Sequence, residues 1–151
     1  MTGVGDFISF GAGGQTITGT GTNDIYSFAK GNGADILNNG VATNKTATNE
    51  LVLGAGVATN QLWLKRTGNN LEIDILGTKD SVMVSNWFNG IGYQLQDIKT
   101  ADGSKIDAQI GQLVQTMASY SASHAAFNPT TATVMPTDPT LQSTMAAAWH
   151  H

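Results

Sequence analysis

Near the N-terminus, oxygen-bearing side chains recur at a spacing suited to holding a hard cation. Asp6, Gln15, Asp24 and Asp35 are separated by nine, nine and eleven residues. Two places after each stands a bulky side chain, Ile8, Ile17, Tyr26 and Leu37. Glycines around them supply the positive φ that tight turns require. In such a unit the acidic residue faces a cation or caps the turn, and the bulky residue packs in the core. Successive nonapeptides alternate edges of the stack, so the pairs to compare are Asp6 with Asp24, two carboxylates, and Gln15 with Asp35, one carboxylate. A hard cation collects six to eight oxygens from carboxylates, carbonyls and water. The competing reading is that these aspartates only accept backbone N–H bonds in glycine-rich turns. Asp35 has a further alternative as the last rung, where no ion is needed.

No other constellation points to catalysis. There is no cysteine, no Gly-x-Ser-x-Gly and no P-loop. His124 has no Asp or Glu at helical spacing, and the remaining histidines are the terminal His150 and His151, so a catalytic zinc site is not expected. Glu72 and Asp74 alternate on one strand face and read as its solvated side. Trp63, Trp87, Phe88 and Tyr93 offer a platform for sugar or, embedded in apolar runs, core packing. Near the C-terminus, Leu141, Met145 and Trp149 share one helical face, suited to docking or recognition; docking is the plainer reading for the folded chain.

A period of nine residues implies parallel β-rungs stacked into a solenoid or roll. Residues 1–38 carry it. Residues 39–49 are small, polar and aperiodic and read as a loop. Over residues 50–120 the expectation is a β-rich capping region. It comprises strands at 50–53, 61–66, 70–76, 81–88 and 93–99 in an antiparallel meander, followed by an amphipathic helix over 108–119 with Asp107 as its cap. Residues 121–139 contain all three prolines and read as an extended linker. Residues 140–151 form a short amphipathic tail. The fold class is therefore mostly β, a short parallel roll continued by an antiparallel meander with one or two C-terminal helices.

With a net charge of -4 and 12% charged residues, the chain lacks the basic footprint of a nucleic-acid binder or of a partner for anionic membranes. No stretch approaches the ~20 apolar residues of a membrane span. The Thr, Asn, Ser and Gly surface leans towards β-rich extracellular modules.

The runs Gly31-x-Gly33-x-Asp35, Asn60 to Asp80, and Val82-Met-Val-Ser-Asn-Trp-Phe88 resemble the C-terminal end of RTX (repeats-in-toxin) proteins, the haemolysin-type calcium-binding group. The resemblance spans roughly residues 10 to 149 and is specific from 60 to 88. It implies a parallel β-roll with calcium in its turns at Asp6, Asp24 and Asp35. A C-terminal flank would cap the roll and carry an uncleaved signal for a type I secretion ABC transporter complex. The implied partners are that transporter and upstream RTX repeats, the location is secreted or at the cell surface, and no enzyme activity is expected. Thr20 and Thr22 stand where the motif has glycine, and Gln15 where it has aspartate. An extracellular adhesin, a carbohydrate-binding module and the non-catalytic tail of a secreted enzyme are the alternatives.

Overall fold

The computed structural model describes residues 4–151. The strands are β1 (Phe7–Ser9), β2 (Thr16–Gly19), β3 (Ile25–Phe28), β4 (Ala34–Asn39), β5 (Glu50–Leu53), β6 (Leu62–Thr67), β7 (Asn70–Ile75), β8 (Ser81–Val84), β9 (Asp97–Lys99) and β10 (Lys105–Ile106). The first five fall alternately in two sheets, ordered β1-β3-β5-β9-β10 and β2-β4-β8-β7-β6. Within them β1, β3, β5 and β9 pair in parallel, as do β2, β4 and β8. This follows from the repeat. A nine-residue unit is one short strand plus one tight turn, so two units complete a circuit and Phe7 comes to lie beside Ile25.

The inward ladder is apolar. Tyr26 and Leu37 are fully buried, while Ile8 and Ile17 are partly buried against the same core. Leu51 and Leu53 extend the ladder, because they stand in register with Tyr26 and Phe28. That register departs from the expected meander, in which residues 50–53 were to pair antiparallel. Laid down as the next parallel strand, β5 stacks both leucines on the inward residues of β3. The antiparallel pairs are instead the hairpin β6–β7, its turn at Gly68, with β8, and β9 with β10. The hairpin forms the outer edge of the second sheet, beyond β8, which lies parallel beside β4.

The strand expected over 93–99 shrinks to β9. Ile91–Tyr93 is a 3-10 turn, and the carbonyls of Tyr93 and Gln94 accept from the Asn39 side-chain amide instead of from a neighbouring strand.

Helix α1 (Ile110–Ser123) buries Ile110, Leu113, Val114 and Met117, the face expected from the spacing, and runs four residues past the expected end at 119. The added turn carries Tyr120, which packs edge-on to Trp63 at 6.0 Å. Asp107 stands just ahead of the helix. Its Oδ1 accepts from Ala108 N at 2.6 Å and its carbonyl from Ile110 N, so it ties the turn that leads into α1 while Gln109 takes the cap position without a side-chain bond.

Residues 124–138, expected as an extended linker, are mostly exposed and touch the rest of the fold at a few points. Phe127 lies 4.5 Å from Trp63, the Pro129 carbonyl accepts from Gly77 N, and Met135 is buried. Helix α2 (Pro139–Ala148) begins at Asp138, whose Oδ2 accepts from Leu141 N at 2.9 Å, with Pro139 at the first helical position. Loss of such a cap costs about 1 kcal/mol. Asp138→Ala is therefore expected to lower the unfolding free energy by that amount, read as a lower urea midpoint, with the lost hydrogen-exchange protection concentrated in 139–148. An unchanged midpoint would mean that α2 is held by packing alone.

Candidate functional site

The residues immediately before β1, β3 and β5 stack along one edge of the coil: Asp6, Asp24 and Asn49. The side-chain oxygens of Asp24 and Asn49 each accept the N–H of the ladder residue one rung before. Asp6 N donates to Asp24 Oδ1 at 2.9 Å, and Asp24 N donates to Asn49 Oδ1 at 2.8 Å. Main-chain bonds continue the ladder, from Ile25 N to Asp6 O, Glu50 N to Asp24 O and Gln96 N to Asn49 O. Asp24 is wholly buried, and its second oxygen, Oδ2, has no hydrogen-bond partner. The Tyr26 hydroxyl is buried and unpartnered as well. Burial, followed by the negative charges of Asp24 and Asp6, pushes this phenol up to about 12, so it stays protonated across the physiological range.

The opposite edge is built differently. Gln15 N donates to Asp35 Oδ1 at 2.5 Å, and Asp35 Oδ2 is buried without a partner. The Gln15 side chain folds back onto its own turn, where Oε1 accepts from Gly11 N at 2.7 Å. In the next layer the Asp80 carboxylate accepts from Gly31 N at 2.9 Å and Gly33 N at 3.0 Å. Both of its oxygens are therefore engaged in clipping the glycine turn.

Asp6 and Asp24 thus come together at one edge and Asp35 lies on the other. Among the described residues no three or more His, Cys, Asp or Glu side chains converge as a metal group. The turn-capping reading and the cation reading apply to different atoms of the same side chain: the Oδ1 atoms of Asp24 and Asp35 are turn acceptors, and the Oδ2 atoms are bare. A buried carboxylate oxygen without a donor is costly, and a hard cation is one partner, beside a proton or a water, that satisfies such an oxygen. The donor set fits calcium in kind. Two carboxylates at the Asp6–Asp24 edge and one at Asp35 would be completed by turn carbonyls and water.

Asn49 and Asp80 escaped the repeat reading. Asn49 sits at the ladder position but 25 residues beyond Asp24, across a loop that breaks the period. The signal available was its place directly before the apolar alternation of β5.

Two carboxyl pairs lie outside the ladder. Asp74, expected on a solvated face, is buried 3.2 Å from Lys65 Nζ. Burial raises its carboxyl to about 7, with further upward contributions from the hydrogen bond and charge of Glu72 that outweigh Lys65. Asp97 stands in register with Glu50 and is raised to about 6, by burial first and then by Glu50, against Lys99 and Lys105. Trp63 and Trp87 are buried, which removes them as a sugar platform. His124 stacks on Tyr120 with ring centroids 4.0 Å apart, and its Nδ1 meets the Tyr120 carbonyl.

The C-terminal face is docked. Leu141 and Met145 are buried and Trp149 is half-buried. Thr144 hydroxyl meets Thr116 of α1. His150 closes an antiparallel bridge with Lys105 through N–H to carbonyl bonds of 2.6 and 2.9 Å.

Residues 70–109, from β7 through β10 to the turn before α1, match the family of the haemolysin-type calcium binding protein related domain. The match supports an RTX-type relationship for the chain and falls downstream of Asp6, Asp24 and Asp35. Among the described residues no helix is long and apolar enough to cross a membrane.

Proposed function

We propose that this chain is the C-terminal folding cap and type I secretion signal module of a secreted RTX-type protein, similar to the C-terminal end of the adenylate cyclase toxin. Its parallel coil is read as the last rungs of a calcium-taking β-roll. The asymmetry of the coil carries the proposal. Among the described residues no strand pairs with the outer edges of β1 and β2, and Ile8 and Ile17 leave that end of the core partly open. The far end is closed by β10, the His150 bridge, the hairpin β6–β7 and α1 packed on β6. A cap needs such polarity, with one face that continues a stack and one that ends it. Upstream repeats are the partner for the open end, and the secretion transporter for the tail. The module acts without catalysis, outside the cell or at its surface.

Calcium that binds the folded state raises stability by RT ln(1 + [Ca]/Kd), about 2.7 kcal/mol at a hundredfold excess over Kd. Millimolar calcium is therefore expected to raise the melting temperature by several degrees, and Asp24→Asn to abolish that rise. A melting temperature indifferent to calcium sinks the metal half of the proposal. Export of a passenger fused upstream should collapse when residues 140–151 are deleted; undiminished export sinks the signal half.

A further inference from the structure

Asn49 occupies the same ladder position as Asp24, one residue before a strand of the first sheet, and the two differ in their second side-chain atom. In Asp24 that atom is an acceptor, and it is buried with nothing to accept. In Asn49 it is a donor. Asn49 Nδ2 donates to the Gly21 carbonyl at 3.1 Å and to Asn39 Oδ1 at 2.8 Å, and Asn39 Nδ2 passes on to the Gln94 carbonyl at 3.1 Å. Both amides are almost fully buried. Their orientation is fixed by the network, since Asn49 Oδ1 must face Asp24 N–H and its nitrogen must face two oxygens.

The counterpart of Asn39 one layer back is Gly19, its partner in the β2–β4 register. Glycine brings no side chain, so the layer of Asp24 lacks the amide that completes the layer of Asn49. The two layers thus differ at one point, left bare at Asp24 Oδ2 and bonded at Asn49 Nδ2. A positive group is required between the ladder oxygen, a turn carbonyl and the second sheet. At Asn49 the partial positive charge of an amide N–H supplies it, tied across the two sheets by Asn39.

We infer that the Asn39–Asn49 amide pair is a built-in substitute for a cation, which ends the cation-taking edge at Asp24 and lets the closed end of the coil fold without metal. The calcium part of this inference rests on the function proposed above; the amide substitution does not.

Asn49→Asp turns the donor into an acceptor with little change of shape. It leaves the new carboxylate, the Gly21 carbonyl and Asn39 Oδ1 around one point, an oxygen set that calcium takes with water completing it. Asn49→Ala removes both functions and serves as the second variant. In EDTA both variants are expected to melt several degrees below the parent chain. Millimolar calcium should restore most of the loss in Asn49→Asp and none of it in Asn49→Ala, beyond whatever shift the parent shows. Equilibrium dialysis should find one more calcium bound per chain in Asn49→Asp than in the parent. An equal calcium response of the two variants, no additional calcium bound, or an Asn49→Asp chain that stays unfolded in calcium would each overturn the inference. If the parent binds no calcium while Asn49→Asp gains one ion, the amide substitution stands and the proposed calcium function falls.

Discussion

Replacing Trp63 with alanine is expected to destabilise the protein by about 3–5 kcal/mol. Trp63 is only 1% exposed and joins three parts that are far apart in sequence. It belongs to β6, its indole meets the edge of Tyr120 on α1 at 6.0 Å, and it lies against Phe127 at 4.5 Å, with Tyr120 and Phe127 themselves edge-to-face at 5.4 Å. Removal of the indole leaves a cavity beneath the hairpin and strips Phe127 of a ring contact. Because few contacts hold the segment after α1, its loss of protection should exceed that of β3 and β4. Trp63→Phe keeps an aromatic edge and should recover part of the loss. Urea unfolding followed by far-ultraviolet dichroism measures it. A loss below 1 kcal/mol would mean that α1 and the segment 124–138 are held by other contacts.

The same tryptophan illustrates what was legible in the sequence. Its burial, and that of Trp87, follows from the apolar strands around it. The parallel coil was legible through residue 38, because the spacing of Asp6, Asp24, Tyr26 and Leu37 is set by strand plus turn and needs no long-range information. Beyond residue 39 the loop interrupts the count. β5 then looks like an ordinary amphipathic strand, though Asn49 and Leu51 hold the positions of Asp24 and Tyr26. An asparagine where the repeat has aspartate hides the equivalence, since only the neighbouring Asn39 makes the amide sufficient. The Pro, Ser and Thr stretch over 121–139 hid its packing for another reason. It is fixed at a few points, the Phe127 ring, the Pro129 carbonyl and the Met135 side chain, and composition averages such points away. Asp74 was misplaced in consequence. Its face is the solvated side of β7 until residues 128–130 close the small cavity that it shares with Lys65 and Glu72.

That buried carboxyl sets the pH dependence expected of the fold. Asp74 holds its proton up to about 7 in the folded chain, against an ordinary value of 3.8, so between those values the folded state binds more protons than the unfolded one. Stability must then fall as pH rises through that window, since the slope follows the difference in bound protons. Asp97, raised to about 6, acts in the same direction over a narrower range. A full three-unit shift would amount to ~4 kcal/mol. Partial hydration of the cavity and relaxation around Lys65 reduce this to about 1–3 kcal/mol. Below pH 4 the sign reverses. Asp102, held at about 2 by the Thr100 hydroxyl and then by Ser104, and Asp107, lowered first by the Ala108 N–H, favour folding in their charged form and lose that advantage on protonation. A stability maximum on the acidic side of neutrality is therefore expected. Asp74→Asn keeps a donor towards Glu72 without the buried charge, so it should raise stability at pH 8 by about 1–2 kcal/mol and flatten the profile between pH 5 and 8. Urea midpoints at half-unit steps of pH read both effects. A parent profile already flat from pH 5 to 8, or one left unchanged by Asp74→Asn, would show that the carboxyl is ionised in the folded state and that Lys65 and water, not a retained proton, hold its charge.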